Sequence, residues 1–287
     1  METVKDVFNK FRQRLAAVYD AQETEALTLA AIAEITQLGR AGIKAFPERE
    51  LSNEQSARLD DIATQLQSGK PLQYVLGKAE FYGLTFNVNP SVLIPRPETE
   101  ELVEWVIGSL GIGQWSLVQG ANILDIGTGS GCIAISLKKN LAAADVSAMD
   151  ISADALQTAQ GNAVLNRVEV NFMERDILSA KPDAAKYDVI VSNPPYVTSH
   201  DKRQMHTNVT DFEPHTALFV PDEEPLLFYK VIADYALQAL KNPGMLFFEI
   251  NESYGTETVA MLAAKGFTDI ELRKDMSGRD RMIKAIK

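Results

Sequence analysis

The sequence predicts an α/β protein in which a small N-terminal helical-bundle domain precedes a doubly wound, seven-stranded, mostly parallel sheet. Two observations support this fold class. From residue 121 onward, short runs of β-branched and aliphatic residues alternate with helical segments, an order typical of parallel sheets covered by helices on both faces. Over residues 1–70, apolar residues instead recur three or four positions apart, which indicates amphipathic helices.

Residues 1–70 are predicted to form the helical domain. Apolar residues repeat at helical spacing over 4–18 and again over 27–38, and Gly39 is placed to end the second helix. The segment 52–55, Ser-Asn-Glu-Gln, has the residue types of a capping box and is expected to open a third helix. A bundle without chemistry of its own is the simpler interpretation, and a docking domain that selects the substrate is the functional one.

Residues 71–97 are predicted to link the two domains through a β-hairpin. Aromatic and β-branched residues over 81–90 surround Gly83, as strands surround a tight turn. The prolines of the segment 94–97, Ile-Pro-Arg-Pro, are incompatible with a helix interior. This segment therefore marks the boundary to a domain over 98–287, which opens with a helix at Thr99.

The second domain is predicted to contain seven strands. The first, Ile123–Ile126, runs directly into a glycine-rich turn, and the second, Val146–Met149, is followed by Asp150. The other strands are predicted at Val168–Phe172, Val189–Ser192, Leu246–Ile250, Ile270–Arg273 and Met282–Ile286. Ligands of doubly wound sheets bind beyond the carboxyl ends of the strands, where the strand order reverses.

Composition limits the classes to which the protein can belong. The 287 residues are 46% hydrophobic and 23% charged, as in soluble globular proteins. No apolar run is long enough to span a bilayer and the N-terminus lacks the pattern of a secretion signal, so a cytoplasmic protein is expected. The single cysteine excludes an internal disulfide, and the three histidines do not form a metal-ligand pattern, so no metal is expected.

The charge balance bears on the substrate. Proteins that hold nucleic acid through its phosphates usually present a basic face. This chain has a formal net charge of −11, with 39 acidic residues against 28 basic ones. The balance favours a protein or a small molecule as the substrate.

The turn between the first strand and its helix is the predicted cofactor site. Glycines at 127, 129 and 131 permit positive φ and a close approach of a ligand to the backbone, and the helix that follows offers unpaired N–H groups. Asp150, at the end of the second strand, can accept the hydroxyls of a ribose. We therefore expect an adenosine-type cofactor bound by Gly127, Thr128, Gly129, Ser130, Gly131 and Asp150.

The spacing of the glycines favours S-adenosylmethionine over a dinucleotide. It is Gly-x-Gly-x-Gly, not the Gly-x-Gly-x-x-Gly of dinucleotide folds. Asp125, just before the turn, is unsuited to a pyrophosphate but suits a cofactor with an amino group and a sulfonium. Asp176 and Ile177, after the third strand, are placed to contact the adenine, and for Asp176 a cap or turn role fits equally well. Cys132 is interpreted as a small buried helix residue.

The segment 192–196, Ser-Asn-Pro-Pro-Tyr, follows an apolar strand and is the predicted catalytic element. A simple loop with two prolines is the structural alternative. An amide or aromatic amine is a poor nucleophile because its lone pair is delocalised, so a methylating site has to hold the NH₂ group in line with the donor. The Asn193 side-chain oxygen and the Pro194 carbonyl can accept its two N–H bonds. Pro195 stiffens the loop, and Tyr196 offers a flat face for a planar group.

Taken with further segments, these residues resemble the HemK/PrmC family of peptide chain release factor glutamine methyltransferases. The segment 94–100, Ile-Pro-Arg-Pro-Glu-Thr-Glu, is the most specific, because the tetrapeptide Asn-Pro-Pro-Tyr is shared with DNA and RNA amino-methyltransferases. Similar segments also occur at 71–77, 81–83, 213–218 and 278–281. The resemblance covers about residues 71–287. Residues 1–70 are similar to the family in their helical character more than in their residue identities.

The resemblance implies the class I S-adenosylmethionine-dependent methyltransferase fold and a reaction. The reaction is methylation at N5 of the glutamine in the Gly-Gly-Gln loop of bacterial class I release factors, which leaves S-adenosylhomocysteine. The family's cofactor contacts correspond to Gly127–Gly131, Asp150, the Asp176-Ile177 region and Asn193. Its glutamine pocket corresponds to Asn193, Pro194, Pro195 and Tyr196. A monomer that binds no nucleic acid directly and no membrane is expected.

Two segments depart from the family pattern, and three alternatives stay open. Glu223–Pro225 and Glu249–Glu252 differ from the commoner glycine-containing versions, and both are expected near the pocket rim. One alternative is an N6-adenine or N2-guanine methyltransferase acting on nucleic acid, with the base stacked on Tyr196. Another is glutamine methylation on a ribosomal protein, and the last is a non-catalytic module that docks a termination factor. The intact Asp150 and Asn193 argue against the last of these.

Overall fold

The computed structural model describes residues 1–111, 120–182, 186–203 and 205–287. Its helices are α1 (Val4–Leu15), α2 (Ala21–Thr36), α3 (Arg40–Ala45), α4 (Asn53–Gln67), α5 (Leu72–Leu76), α6 (Pro97–Leu110), α7 (Cys132–Asn140), α8 (Ala153–Asn166), α9 (Ser199–Lys202), α10 (Thr207–Phe212), α11 (His215–Leu218), α12 (Leu227–Ala239) and α13 (Gly255–Ala264). Its strands are β1 (Lys78–Phe81), β2 (Leu84–Asn87), β3 (Asn122–Ile126), β4 (Asp145–Asp150), β5 (Asn171–Glu174), β6 (Tyr187–Ser192), β7 (Leu240–Glu249), β8 (Thr268–Lys274) and β9 (Asp280–Ile286). The chain forms two compact units, one of residues 1–77 with 206–212 and one of 78–205 with 213–287.

The first unit is helical, and its core is formed by apolar faces of α1, α2 and α4. The predicted capping box is confirmed, because the Gln55 N–H donates to Ser52 Oγ at 3.1 Å and the Ser52 N–H donates to Gln55 Oε1 at 3.0 Å. The prediction that Gly39 ends the second helix is wrong. Helix α2 ends at Thr36, where Gln37 takes the left-handed conformation with φ 57°, and Gly39 instead lies directly before α3.

The second unit contains the predicted seven-stranded, mostly parallel sheet. Its strand order is β5-β4-β3-β6-β7-β9-β8. The first five strands in that order are parallel, while β9 runs antiparallel to both β7 and β8. Helices cover the sheet, and two apolar clusters of buried residues fill the space on its faces. The doubly wound fold class is confirmed.

One strand begins later than its residue pattern predicts. Strand β5 starts at Asn171, although the apolar run begins at Val168. The Val168 N–H donates to the Ala163 carbonyl at 3.0 Å and so completes the end of α8. Val168 and Val170 are apolar because they pack against the core beside the sheet.

The hairpin predicted around Gly83 is present and is held on α8. Strands β1 and β2 pair antiparallel across a two-residue turn, where Tyr82 and Gly83 have φ of 50° and 72°, as the favoured hairpin turns require. The Asn87 N–H donates to Asn162 Oδ1 at 2.7 Å, and Asn162 Nδ2 donates back to the Asn87 carbonyl at 3.0 Å. These bonds tie the hairpin to the second unit.

The strand register brings the three predicted site segments together. Strand order reverses at β3, which pairs with β4 on one side and β6 on the other. Ile126 lies opposite Met149 and also opposite Ser192. The glycine turn, Asp150 and Asn193 therefore all leave the sheet at the same edge. Among the described residues, no helix is both long enough and apolar enough to cross a membrane.

Candidate active site

A cavity of about 350 Å³ lies at the carboxyl ends of β3, β4 and β6, and we call it the strand-end cavity. It brings together most of the predicted site residues. Those that line it are Gly127, Gly129, Asp150, Asp176, Ile177, Asn193, Pro194 and Pro195. Thr128, Ser130 and Gly131 do not line it, and Tyr196 lines a second cavity next to it.

The glycines of the turn have different physical reasons to be glycine. Gly127 and Gly129 have φ of +74° and +55°, and a Cβ on either would meet no atom within 4 Å. Their backbone conformation needs glycine, and the space beside them is open to a ligand. At Gly131 a Cβ would lie 2.8 Å from Ile135 Cδ1 and 3.1 Å from Ala159 Cβ. Gly131 is thus required for close packing of α7 against α8.

Asp150 is held by the backbone of both neighbouring loops. Its Oδ2 accepts the Gly129 N–H at 2.9 Å and its Oδ1 accepts the Ser152 N–H at 2.9 Å. A carboxylate offers about four lone-pair positions, so two remain after these bonds. Asp150 can therefore accept two hydroxyl groups from a ligand in the strand-end cavity without any rearrangement.

Asp125 is a buried carboxyl group with an unsatisfied oxygen. Its Oδ2 accepts the Thr128 hydroxyl at 2.6 Å and the Ala134 N–H at 3.3 Å. Its Oδ1 has no hydrogen-bond partner among the described residues. Burial raises the pKa of Asp125 to about 7, and the charge of Asp150 adds to the rise. Asp125 lines neither cavity, so a cationic ligand in the strand-end cavity would act on it through its charge alone and would favour its ionised form.

Asp176 both lines the strand-end cavity and shapes the loop after β5. Its Oδ1 accepts the Leu178 N–H at 2.9 Å, and its backbone carbonyl accepts the Ala180 N–H at 2.8 Å. The two interpretations of Asp176, turn residue and ligand contact, are thus compatible in one geometry. Ile177 lies beside it and adds apolar surface to the cavity wall.

The second cavity, of about 410 Å³, contains Tyr196, and we call it the tyrosine cavity. Four residues line both cavities, and two of them are Asn193 and Pro194. The other two are Leu93, just before the segment 94–100, and Ala217. Asn193 and Pro194 therefore form a wall with a ligand-sized space on each side.

A series of side-chain hydrogen bonds connects Asn193 in this wall to Glu249, which also lines the tyrosine cavity. Asn193 Nδ2 donates to Thr99 Oγ1 at 3.3 Å, and the Thr99 hydroxyl donates to Glu249 Oε2 at 2.6 Å. The Tyr196 hydroxyl donates to Glu249 Oε1 at 3.2 Å. The sequence predicts the segment Glu249–Glu252 near the pocket rim, but neither Thr99 nor Glu249 was given a role in the site. Glu249 ends β7, the strand beside β6, so the rule that ligands bind at strand ends could have identified it.

Burial dominates the electrostatics of the tyrosine cavity. Glu249 is 2% exposed, and burial raises its pKa, although the Thr99 hydroxyl and the Arg281 charge oppose the rise. Burial and the neighbouring Glu249 also raise the pKa of Tyr196, so its phenol stays protonated as a donor. Among the described residues, no group of three or more His, Cys, Asp or Glu is placed to hold a metal ion.

Of the two segments that depart from the family pattern, only the second lines a cavity. Asn251 Nδ2 donates to the Tyr196 carbonyl at 3.0 Å and to Asp201 Oδ2 at 2.9 Å, which fixes the backbone of the tyrosine. Glu252 also lines the tyrosine cavity. Residues 223–225, which were expected near the rim, line neither cavity and lie mostly exposed in a turn before α12.

The segment 94–100 is anchored to the start of α11 by a buried carboxylate. Glu213 Oε1 forms an ion pair with Arg96 Nη2 at 2.5 Å, and Glu213 Oε2 accepts the Ile94 N–H at 3.2 Å. The Glu213 side chain is 1% exposed, whereas Arg96 is 34% exposed. Arg96 also lines the tyrosine cavity, so this ion pair holds one of its walls.

Comparisons with known proteins bear on the family and the fold. Residues 6–77 match the family model "PrmC N-terminal domain", and residues 114–212 match "Methyltransferase small domain". The release factor glutamine methyltransferase of Flavobacterium psychrophilum is 48% identical over 282 residues, 98% of each chain. That of Bacteroides thetaiotaomicron is 42% identical over 275 residues, 96% of each chain.

A solved structure shares the fold at low sequence identity. A methyltransferase from Pyrococcus furiosus has a TM-score of 0.51 and 15% identity, over 82% of this chain and 99% of that one. At that identity the likeness bears on the fold alone. The relatives at 42–48% identity over nearly the whole length are decisive, and the chain belongs to the release factor glutamine methyltransferase family.

Proposed function

We propose that this protein transfers a methyl group from S-adenosylmethionine to the N5 amide nitrogen of the glutamine in the Gly-Gly-Gln motif of bacterial class I release factors. One observation carries the proposal: Asn193 and Pro194 line both the strand-end cavity and the tyrosine cavity. A methyl donor in one cavity and a glutamine side chain in the other would meet at these two residues. The relatives named release factor glutamine methyltransferases support the same substrate.

The strand-end cavity would hold the cofactor. Gly127 and Gly129 leave open space against the backbone, and Asp150 would accept the ribose hydroxyls with its free lone pairs. Asp176 and Ile177 would contact the adenine, and the buried Asp125 would balance the cofactor's positive charge. Thr128, Ser130 and Gly131 would shape the turn without direct contact. When bound, S-adenosylmethionine supplies an electrophilic methyl group beside Asn193.

The residues of the wall would orient the amide of the substrate. Asn193 Oδ1 and the Pro194 carbonyl would accept the two N–H bonds, which leaves the nitrogen lone pair directed across the wall. Pro195 stiffens this loop. Tyr196 would pack its ring against the planar amide, and its hydroxyl bond to Glu249 keeps the ring in place. No basic side chain is needed, because a methylated amide nitrogen loses its extra proton readily to water.

The helical unit of residues 1–77 and 206–212 would dock the release factor. Residues 6–77 match the N-terminal domain of the family, which supports a role for this unit in binding the family's substrate. We infer that the enzyme acts in the cytoplasm as a monomer. The net charge of −11 disfavours direct binding of nucleic acid.

The proposal is tested by transfer of tritium from labelled S-adenosylmethionine. The full-length protein is incubated separately with each of four candidate substrates. They are a class I release factor, the same factor with Gln changed to Ala in its Gly-Gly-Gln motif, ribosomal proteins and ribosomal RNA. Label is expected on the unaltered factor alone. Label on the Ala factor would refute the glutamine assignment. Label only on RNA or only on a ribosomal protein would mean that this molecule, and not the release factor, is the substrate.

A further inference from the structure

We propose that Glu249, acting through Thr99, determines which end of the Asn193 side-chain amide faces the substrate. In this view Thr99 and Glu249 are positioning residues that keep Asn193 Oδ1, and not Nδ2, directed toward the glutamine. The inference rests on the proposed function, in which Asn193 Oδ1 accepts an N–H of the substrate amide. It gives a role to a carboxylate that is almost fully buried and lines the tyrosine cavity next to this wall.

The first step is the role of Glu249, which acts as the hydrogen-bond acceptor of this group. The hydroxyls of Thr99 and Tyr196 and the charge of Arg281 favour its ionised form against the effect of burial. An ionised carboxylate can only accept hydrogen bonds. Thr99 Oγ1 lies 2.6 Å from Glu249 Oε2, a distance typical of a strong bond from a hydroxyl to a carboxylate. The single hydroxyl hydrogen of Thr99 is thus committed to Glu249.

The second step transfers this direction to Asn193. Because the Thr99 hydrogen is used, Thr99 Oγ1 can only accept from the next group. The atom of Asn193 that lies 3.3 Å away must therefore be the donor Nδ2. The Oδ1 atom then points to the other side of the amide, and no group in the described ranges of the chain donates a hydrogen bond to it.

The same carboxylate orders the second substrate contact. Its Oε1 accepts the Tyr196 hydroxyl at 3.2 Å, so one buried group orients both the amide of Asn193 and the ring of Tyr196. Helix α6 supplies Thr99 and strand β7 supplies Glu249. Both side chains are buried, at 3% and 2% exposure, so water does not readily replace either bond.

If the Asn193 amide were turned around, the site would no longer favour glutamine. With Nδ2 turned to the substrate, Asn193 would present a donor to the NH₂ group of glutamine, which is also a donor. The same reversed amide would suit a side chain that only accepts, such as glutamate. The direction of the hydrogen-bonded chain therefore predicts discrimination between glutamine and glutamate, apart from any effect on the rate.

Two substitutions break the chain at different points. Thr99→Val removes the hydroxyl with little change of side-chain volume, whereas Thr99→Ser keeps a hydroxyl at this position. Glu249→Gln gives Thr99 a group that can accept or donate, so the direction is no longer fixed. Thr258→Val is the matched control, because Thr258 is also a buried threonine whose hydroxyl donates within the second unit, to the Tyr254 carbonyl at 2.7 Å.

The measurements are kcat and KM on a class I release factor, the affinity for S-adenosylmethionine, and the affinity for that factor with Gln or Glu in the Gly-Gly-Gln motif. For Thr99→Val and Glu249→Gln we expect kcat to fall about tenfold or more, the loss expected for one misdirected hydrogen bond. Their preference for Gln over Glu in binding should also fall several-fold. Cofactor affinity should stay near the wild-type value. Thr99→Ser should keep kcat and the preference for Gln near their wild-type values.

The outcomes separate this inference from the proposed function. If the wild-type enzyme does not label the release factor, the proposed function fails first. If the wild type labels it but both variants keep the wild-type kcat and Gln preference, the positioning role is refuted. It is also refuted if kcat falls in both while the Gln preference is unchanged, or if Thr258→Val reproduces the same loss, because either result describes a purely structural effect.

Discussion

The Gly129 N–H donates to Asp150 Oδ2 at 2.9 Å, so this bond joins the turn after β3 to the last residue of β4. This bond links the two features that the sequence assigned separately to the cofactor. The Ser152 N–H fixes the other oxygen of Asp150. The carboxylate is thus oriented before any ligand arrives, and its removal should affect cofactor binding more than the chemical step.

Replacement of Asp150 and of Asn193 should have opposite kinetic signatures. Asp150→Ala removes the acceptors for the ribose, and we expect cofactor affinity to fall about 10- to 100-fold, as for lost hydrogen bonds to a charged group. Asn193→Ala should lower kcat severely and cofactor affinity much less. Titration calorimetry and single-turnover labelling distinguish the two. Equal loss of cofactor affinity in both variants would contradict a division of labour in which Asp150 binds the cofactor and Asn193 orients the substrate.

The glycines of the turn should separate into a ligand-binding group and a packing group. Gly131→Ala adds a methyl close to Ile135 and Ala159, so we expect it to destabilise the ligand-free protein by about 1–3 kcal/mol more than Gly127→Ala. Gly127→Ala shares the penalty of positive φ, but its methyl meets open space and should weaken cofactor binding instead. Urea unfolding and cofactor titration measure the two effects. Equal destabilisation by both substitutions would contradict the packing role of Gly131.

Most of the site could be predicted because its residues adjoin strands that are visible in the sequence. Each of the segments 125–131, 150 and 193–196 follows an apolar run, and the carboxyl ends of parallel strands meet at one edge. The register of Ile126 with Met149 and Ser192 then brings them together. The apolar runs and the rule for the ends of parallel strands were therefore sufficient to predict these segments of the site.

The strand-end rule could have identified Glu249, but not its contact with Thr99. Thr99 and Glu249 are 150 positions apart, and their contact depends on where α6 packs over β7. Apolar spacing shows which face of a helix is buried but not which strand it covers. The division of the tetrapeptide between two cavities has a related cause, because the Tyr196 hydroxyl bonds to Glu249, which no local pattern specifies.

The stability of the ligand-free enzyme should fall as the pH rises because of Asp125. Its pKa is raised to about 7 by burial, with Asp150 as the neighbouring charge that adds to the rise. A carboxyl group whose pKa is higher in the folded state contributes stability that is complete below its unfolded pKa, near 4, and is lost as the pH rises through 7. Between pH 5 and 8 this loss should be about 2–3 kcal/mol.

Asp125→Asn tests this assignment, because an amide keeps an acceptor for Thr128 and does not titrate. Urea unfolding at pH 5 and pH 8 should show a smaller decrease in the variant than in the wild-type protein. Two parallel pH profiles would mean that Asp125 is not the group responsible. Addition of S-adenosylmethionine should reduce the decrease in the wild-type protein, since a bound cation favours the ionised carboxylate.

The two partners of the Arg96–Glu213 ion pair should differ in the cost of their removal. Arg96→Met leaves the Glu213 carboxylate, which is 1% exposed, without its cation, and we expect a loss of about 3 kcal/mol. Glu213→Gln should cost about 1 kcal/mol, because the amide can still accept the Ile94 N–H and the partly exposed Arg96 can be hydrated. Urea unfolding gives the order. A larger loss for Glu213→Gln would mean that Arg96, and not the buried carboxylate, depends on the pair.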